Sequence, residues 1–257
     1  MRRLVAALAC RNNGLRLFGK PLQPILGETT ILDQIIAGLR RCREIDAIVL
    51  GIAEGVVNAS YVDVARAHGV AHVFGDARDV LMRLIQCGRA AGATDVFRVT
   101  TECPWFASEM LNDIWKAHVA NDNDISVTDR LPEGLNFEIY TLAALERAHE
   151  RGTAQDRSEF CSSYPRTHPG EFRAQVFVPP PSWRRGDLRV TVDYPEDLIV
   201  ARAIAREFAG EMPLVATARI IDFLDTRPDL KALVATYVDP QPLWAVFPDQ
   251  QELQAHA

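Results

Sequence analysis

The chain has 257 residues, 48% of them hydrophobic and 24% charged, with a formal net charge of −6 at pH 7. This composition predicts one large globular domain with a sizeable core, and the negative charge argues against a general binder of nucleic-acid polymers, which normally carries a basic face. Five scattered cysteines without a C-x-x-C pair predict a reduced cytoplasmic protein, and no apolar stretch approaches the roughly 20 residues that span a membrane.

The first half of the chain alternates between short apolar runs and helical patterns. This alternation is typical of βαβ units and predicts an α/β fold with a largely parallel sheet. Strands are predicted over 4–9, 47–52, 70–74 and 96–100, and helices over 31–43, 58–68, 79–91 and 107–119. Because ligands of such sheets collect at the carboxyl ends of the strands, the loops after the first and fourth strands are expected to share a site.

The second half departs from simple alternation. Strands are predicted over 125–128, 135–140, 171–178 and 189–193, and helices over 142–151 and 195–209, with two more between 213 and 237. The strand over 171–178 is expected to form a small arm between two loops. The pattern divides the chain into a main domain over 1–210, a helical extension over 211–238 and a Pro- and Gln-rich tail over 239–257, which is predicted to be flexible.

The loop after the first strand carries three cations and two glycines. Gly14 and Gly19 allow the backbone to turn and bring N–H groups close to an anion, while Arg11, Arg16 and Lys20 can neutralise phosphate charge. The loop is not a Walker loop, because a proline follows its lysine, and it lacks G-x-G-x-x-G. By these residues alone, a phosphate-binding loop and an ordinary solvated loop remain alternatives.

Positive charge is concentrated around this loop. Residues 1–43 contain eight Lys or Arg and two acidic residues, a local charge of +6, which leaves −12 for the remainder of the chain. A local positive field of this kind suits a small polyanion such as a nucleotide.

Five sequence blocks, in order, resemble the cytidylyltransferases that activate sugars and other small acidic metabolites with CTP, and the spore-coat polysaccharide (SpsF-like) enzymes come closest. In the block over 10–20, five residues match the family's loop A-R-M-G-S-x-R-L-P-G-K: Arg11, Arg16, Leu17, Gly19 and Lys20. The other blocks are 79–81, 98–104, 132–138 and 189–197, and the resemblance covers about residues 3–208.

The resemblance implies a Rossmann-like, three-layer α/β/α nucleotidyltransferase fold of the GT-A type. It also implies transfer of CMP from CTP to a small phosphorylated, phosphonate or sugar-acid acceptor, with release of pyrophosphate, for surface polysaccharide or a related product. The implied partners are CTP and the acceptor, and a homodimer is left open. A guanylyl- or other sugar-1-phosphate nucleotidyltransferase and a non-catalytic nucleotide-binding homologue are the alternatives.

The resemblance also implies roles for individual residues. Lys20 and Arg16 would be catalytic, with Lys20 reaching the charge that develops during transfer. Asp79 is equally well explained as a helix N-cap, and Arg98 as one half of an internal salt bridge. The implied nucleotide-binding residues are Arg11, Asn12, Asn13, Gly14, Arg16, Lys20, Asp79, Val80 and Arg98.

The family places a magnesium-binding aspartate at each of two positions, here occupied by Glu102 and Asp193. Asp193 matches the family, whereas Glu102 follows Thr101 where the family has Gly-Asp, so its carboxylate reaches one methylene further. The resemblance therefore implies that Glu102 and Asp193 hold Mg²⁺. The alternatives are a charge at a helix N-terminus for Glu102 and a helix cap for Asp193.

The acceptor side departs most from the family. Gly134, Asn136 and Glu138 resemble its acceptor-binding segment, although Asn136 replaces an aspartate, and Arg157 matches its next motif only weakly. These four residues are the implied acceptor-binding set. The departures predict an acceptor that differs from that of the commonest family members.

Overall fold

The structure, a computed structural model, describes residues 2–12, 14, 16–158 and 161–253. The strands within these residues are β1 (Leu4–Cys10), β2 (Pro24–Leu26), β3 (Thr29–Thr30), β4 (Ala47–Ala53), β5 (Ala71–Gly75), β6 (Asp95–Arg98), β7 (Ile125–Thr128), β8 (Glu138–Thr141), β9 (Ala174–Val178) and β10 (Gln250–Glu252). Eight of them form one sheet in the order β10-β9-β7-β8-β6-β1-β4-β5, and β2 and β3 form a separate hairpin. Strand β8 is antiparallel to both of its neighbours, while the other pairs of the large sheet are parallel.

Helices cover both faces of the large sheet. The α-helices within the described residues are α1 (Ile31–Leu39), α2 (Ser60–His68), α3 (Val80–Ala90), α4 (Leu111–Ala120), α5 (Leu142–Arg151), α6 (Ser163–Thr167), α7 (Pro195–Glu207), α8 (Thr217–Asp225) and α9 (Pro228–Val234). None of them is long and apolar enough to cross a membrane.

The central strand β1 shows why the chain forms three layers. Its alternate residues Leu4, Ala6 and Leu8 belong to the core that includes α1 and α7, while Val5 and Ala7 belong to the core that includes α3 and α5. A strand buried on both faces is an uninterrupted apolar run, because each face packs against helices. The α/β, Rossmann-like fold expected from the sequence is confirmed.

The expected strand over 189–193 is wrong. Only Arg189 forms an isolated bridge, to Glu133. The N–H groups of Val190 and Thr191 donate to the carbonyl of Glu133, and that of Val192 donates to the carbonyl of Glu102 at 2.9 Å. The segment therefore bonds to two loops, and this contact brings the loops of the candidate site together.

The C-terminal part of the chain also differs from expectation. Strand β9, which we expected on a small arm, lies inside the large sheet between β7 and β10. Residues 239–253 of the tail supply the edge strand β10 and bury Trp244 and Phe247, while the predicted flexibility of the tail stays a prediction. The carboxylate of Asp129 accepts hydrogen bonds from the N–H groups of Leu243 and Trp244 at 3.3 and 3.1 Å. Residues 254–257 lie outside the described residues.

Candidate active site

A cavity of about 120 Å³ lies at the carboxyl ends of β1 and β6, beside the first turn of α3. Parallel pairing of β1 with β6 places the basic loop next to the loop after Arg98, as the sequence indicated. The cavity is far smaller than a site for a whole nucleotide, so it matches one fragment of such a ligand. Six of the predicted residues line it: Arg11, Gly14, Lys20, Val80, Arg98 and Glu102.

Asn12 shapes the basic loop from within. Its carbonyl accepts hydrogen bonds from the N–H groups of Gly14 and Gly19 at 2.8 and 2.9 Å, and its own N–H donates to Asn58 at 2.8 Å. Gly19 has a φ of 58°, a conformation that favours glycine. Asn12 is buried and is not in the lining, so the structure gives it a supporting position. The predicted nucleotide-binding residue Asn13 lies outside the described residues.

Asp193 stands among three cations. Its carboxylate contacts Lys20 at 2.5 Å, Arg16 at 2.9 Å and Arg189 at 2.9 Å. Burial alone would raise the pKa of Asp193, but the hydrogen bond from Lys20 and the surrounding positive charges lower it below its usual value. Lys20 and Arg16, which are predicted to bind phosphate, therefore contact the carboxylate that is predicted to bind the metal.

Asp193 does not serve as the helix cap that we had considered. Tyr194 is the N-cap of α7, and the carboxylate of Asp197 accepts hydrogen bonds from the N–H groups of Asp193 and Tyr194, each at 2.9 Å. Arg189, which is almost fully buried, links the carboxylates of Glu133, Asp193 and Asp197. This network fixes the Asp193 backbone and leaves its carboxylate directed at the basic loop.

Glu102 is the second carboxylate of the predicted metal pair. Its carbonyl accepts the hydrogen bond from Val192, so the two acidic residues lie on adjoining segments. Burial raises the pKa of Glu102, and the negative charge of Asp193 raises it further. Two nearby carboxylates that repel each other fit a divalent cation, which removes the repulsion. No cluster of three or more His, Cys, Asp or Glu ligands occurs among the described residues, and two carboxylates supplemented by phosphate oxygens and water suit Mg²⁺.

Arg83 is a residue of the cavity that we did not predict. Its guanidinium group is buried and donates to the carbonyls of Cys10, at the end of β1, and of Gly51, within β4, both at 3.0 Å. Burial lowers the pKa of Arg83, and its Nε has no hydrogen-bond partner among the described residues. Among the described residues, two carbonyl oxygens and no carboxylate hold this guanidinium group. The helical pattern could have shown it, because Arg83 shares the buried face of α3 with Val80, Leu84 and Cys87.

Arg98 forms an internal salt bridge, which is one of the two roles that the sequence allowed for it. Its Nη1 contacts Glu138 Oε2 at 2.5 Å, and the hydroxyl of Tyr140 donates to the same oxygen at 3.0 Å. Arg98 still lines the small cavity. Glu138, expected on the acceptor side, is buried and holds this arginine in place.

Two further predicted residues lie apart from the small cavity. Asp79 is the N-cap of α3, where it accepts from the N–H of Met82 at 2.8 Å, and it also contacts His149 at 2.8 Å. Arg157 lies beside the same helix end, since its carbonyl accepts from the N–H of Leu81. Neither residue lines the small cavity, so their ligand-binding roles stay predictions.

Asn136 lines a second cavity, of about 620 Å³, next to the end of β7. Gly134 lies between this residue and the Asp193 segment, with a φ of 100°, and a Cβ there would come within 2.4 Å of the N atom of Thr191. Only glycine allows this close approach. The structure thus separates the predicted acceptor residues: Asn136 faces the large cavity, and Glu138 and Arg157 do not.

Comparison with solved structures identifies the class of fold. No family model matches the chain. A cytidylyltransferase from Leptospira borgpetersenii has a TM-score of 0.79 at 20% sequence identity, and the match covers 90% of this chain and 97% of that chain. The chain therefore has an α/β nucleotidyltransferase fold, with the candidate site at the edge of the sheet where its strands end.

Comparison of sequences finds proteins that are similar to this chain along most of their length. The spore coat polysaccharide biosynthesis protein SpsF of Bacillus subtilis is 26% identical over 238 residues, which cover 89% of this chain and 97% of that protein. An uncharacterized protein of Methanocaldococcus jannaschii is 24% identical over 229 residues, which cover 89% of this chain and 93% of that protein. The chain is similar to SpsF over most of its length, and its resemblance to the cytidylyltransferases is confirmed.

Proposed function

We propose that the protein is a Mg²⁺-dependent cytidylyltransferase. It transfers CMP from CTP to a small phosphorylated, phosphonate or sugar-acid acceptor, releases pyrophosphate, and serves the synthesis of surface polysaccharide or a related product. One observation carries the proposal: the cations of the basic loop and the two carboxylates Glu102 and Asp193 meet beside one cavity at the carboxyl edge of the sheet. The names of the SpsF relative and the Leptospira enzyme support the choice of cytidine and of the pathway.

In the proposed reaction, an oxygen of the acceptor forms a bond to the α-phosphorus of CTP. The bond between that phosphorus and the oxygen that bridges the α- and β-phosphates breaks, and pyrophosphate leaves with the electron pair of this bond. The protein's contribution is position and charge, because Lys20 and Arg11 are near enough to the cavity to neutralise phosphate oxygens. Glu102 and Asp193 would hold Mg²⁺, which supplies charge neutralisation at the phosphates when bound.

The substitution of Gly-Asp by Thr101-Glu102 is compatible with catalysis. The hydroxyl of Thr101 donates to the carbonyl of Ala9 at 3.0 Å and ties the loop after β6 to the end of β1. This hydrogen bond holds the backbone of the segment that carries Glu102, so the position of the longer side chain is defined at its base. The longer side chain of Glu102 therefore does not by itself favour the non-catalytic homologue.

The proposal is tested by measuring pyrophosphate release from CTP, UTP, ATP and GTP, each with Mg²⁺ and with excess chelator, across a panel of sugar phosphates, phosphonates and sugar acids. We expect turnover with CTP and Mg²⁺ and its loss with chelator. Preference for GTP would favour a guanylyltransferase, and binding of nucleotide without turnover of any acceptor would favour the non-catalytic homologue.

A further inference from the structure

Two aromatic rings stack beside the candidate metal pair. The ring of Tyr237 lies nearly parallel to that of Tyr194, with 3.9 Å between the ring centroids and 7° between the ring planes. Tyr194 directly follows Asp193, while Tyr237 ends a short 3-10 helix, Ala235–Tyr237, that follows α9. The stack therefore joins the helical extension to the segment that carries Asp193.

The ring of Tyr194 also contacts a cation of the basic loop. The guanidinium carbon of Arg16 lies over this ring, 5.0 Å from its centroid, and Arg16 Nη2 lies 2.9 Å from Asp193 Oδ1. Lys20, which lines the small cavity, contacts the same carboxylate oxygen. Arg16 thus lies next to Lys20, at the margin of the small cavity, where its charge can act on phosphate groups that extend from the cavity.

The carboxylate and the ring hold Arg16 in different ways. The Asp193 carboxylate is proposed to bind Mg²⁺, so its oxygens are shared with the metal when the nucleotide binds. The Tyr194 ring attracts the guanidinium group through its quadrupole, and it is not a ligand of Mg²⁺, so this contact does not compete with the metal. The ring can therefore hold Arg16 in place while Asp193 binds the metal.

Arg16 benefits from such a support because its side chain is 46% exposed. A long, exposed arginine loses rotamer freedom when it binds an anion, and a contact that limits this freedom beforehand lowers the cost of binding. The ring of Tyr194 gives this support only if it is itself fixed. The N–H of Tyr194 donates to Asp197 at 2.9 Å, which fixes its backbone, and the stack with Tyr237 fixes its ring.

We infer that the stack of Tyr194 and Tyr237 positions Arg16 for the triphosphate, and that Tyr237 is a positioning residue of the nucleotide site. The inference rests on the proposed function for the identity of the anion as a nucleoside triphosphate. It gives the helical extension a part in nucleotide binding, although Tyr237 lies beyond residues 3–208, which carry the resemblance.

Calorimetric titration of the full chain with CTP and Mg²⁺ tests the inference. Tyr237→Leu and Tyr194→Leu should each weaken CTP binding about two- to fivefold, the range of a cation–π contact at an exposed site. Tyr237→Phe keeps the stacked ring and should bind CTP as the wild type does. Phe223→Leu is the matched control, because Phe223 also belongs to the helical extension and contacts the ring of Phe208 and the guanidinium group of Arg227, but lines neither cavity.

The same measurement in an Arg16→Met background separates positioning from a general loosening of the structure. If the stack acts through Arg16, Tyr237→Leu should weaken CTP binding no further in this background. Thermal unfolding checks that the variants are folded; Tyr237 is only partly buried, and leucine keeps an apolar side chain at its position.

Two results would overturn the inference. One is equal CTP affinity of Tyr237→Leu and Phe223→Leu, and the other is a weakening by Tyr237→Leu that persists in full without Arg16. Absence of CTP binding by the wild-type protein would instead contradict the proposed function, so the two failures are distinguishable.

Discussion

The ion pairs of Asp193 predict an unusual consequence of its removal. Asp193 and a bound triphosphate compete for the same cation, because Lys20 contacts the carboxylate at 2.5 Å and also lines the small cavity. Asp193→Asn should therefore strengthen the binding of CTP in the absence of Mg²⁺. The same variant should lose most Mg²⁺-dependent turnover, because an amide does not supply the charge that anchors a hard cation.

The structure sets the size of the expected effect. The side chains of Lys20 and Asp193 are 16% and 15% exposed, so their charge-assisted hydrogen bond contributes about 1.5–3 kcal/mol. Arg16 is 46% exposed, and solvent screening limits its pair with Asp193 to about 1 kcal/mol at most. Since about 1.4 kcal/mol corresponds to a tenfold change, loss of these contacts predicts roughly 10- to 100-fold tighter binding of Mg²⁺-free CTP. Arg189 keeps Glu133 and Asp197 as partners, so the variant should still fold.

Calorimetric titration with CTP in excess chelator measures this effect, and thermal unfolding confirms that the variant is folded. Asp225→Asn is the matched control, because Asp225 also pairs with two cations, Arg185 and Lys231, but lies outside both cavities. Its affinity for CTP should equal that of the wild type. Unchanged or weaker binding of Mg²⁺-free CTP by folded Asp193→Asn would refute the competition between carboxylate and triphosphate.

Three further predictions concern the small cavity. Lys20→Ala should lower turnover by at least about 100-fold and, because its contact with Asp193 is lost, should lower the melting temperature by roughly 3–12 °C. Unchanged kinetics in the folded variant would remove the loop from the active site. Glu102→Asp should keep substantial activity and Glu102→Gln should lose it. If Glu102→Gln keeps its Mg²⁺-dependent turnover and loses only about 0.3–1 kcal/mol of folding free energy, the metal pair is contradicted. Arg83→Met should weaken CTP binding about tenfold or more and lower the melting temperature, because two buried carbonyls lose their donor; unaltered CTP affinity would limit Arg83 to a structural role.

The parts of the fold that the sequence predicted well are those with local signals. The run from Leu4 onward became β1, and the pattern over 125–128 became β7 with the expected bounds. In both cases the strand is buried by helices, so its residue types carry the information directly. The capping position of Asp79 was also readable, because an aspartate before an amphipathic helix has a short-range partner in Met82.

Elements whose conformation depends on contacts with residues distant in the sequence could not be predicted from the sequence. The apolar residues near Val190 suggest a strand, but their N–H groups bond to the loops at Glu133 and Glu102, which no local pattern reveals. The tail is rich in Pro and Gln, yet Trp244 is buried and Asp129, 115 residues earlier in the chain, accepts its N–H. Composition alone does not specify such long-range contacts, which decide whether a polar segment is ordered.

In the candidate site, too, the sequence identifies the residue types but not the partners that their side chains contact. The motifs come together at one edge of the sheet, since Lys20, Arg98 and Glu102 all line one cavity. They did not distinguish residues that face a ligand from residues that hold those residues in place. Glu138 and Asn136 lie two positions apart, but Glu138 is on strand β8 and pairs with Arg98 of the neighbouring strand β6, while Asn136 precedes β8 and lines the second cavity. Which of two neighbouring polar side chains is paired inside the protein is thus decided by a residue on the adjacent strand, which the motif itself does not contain.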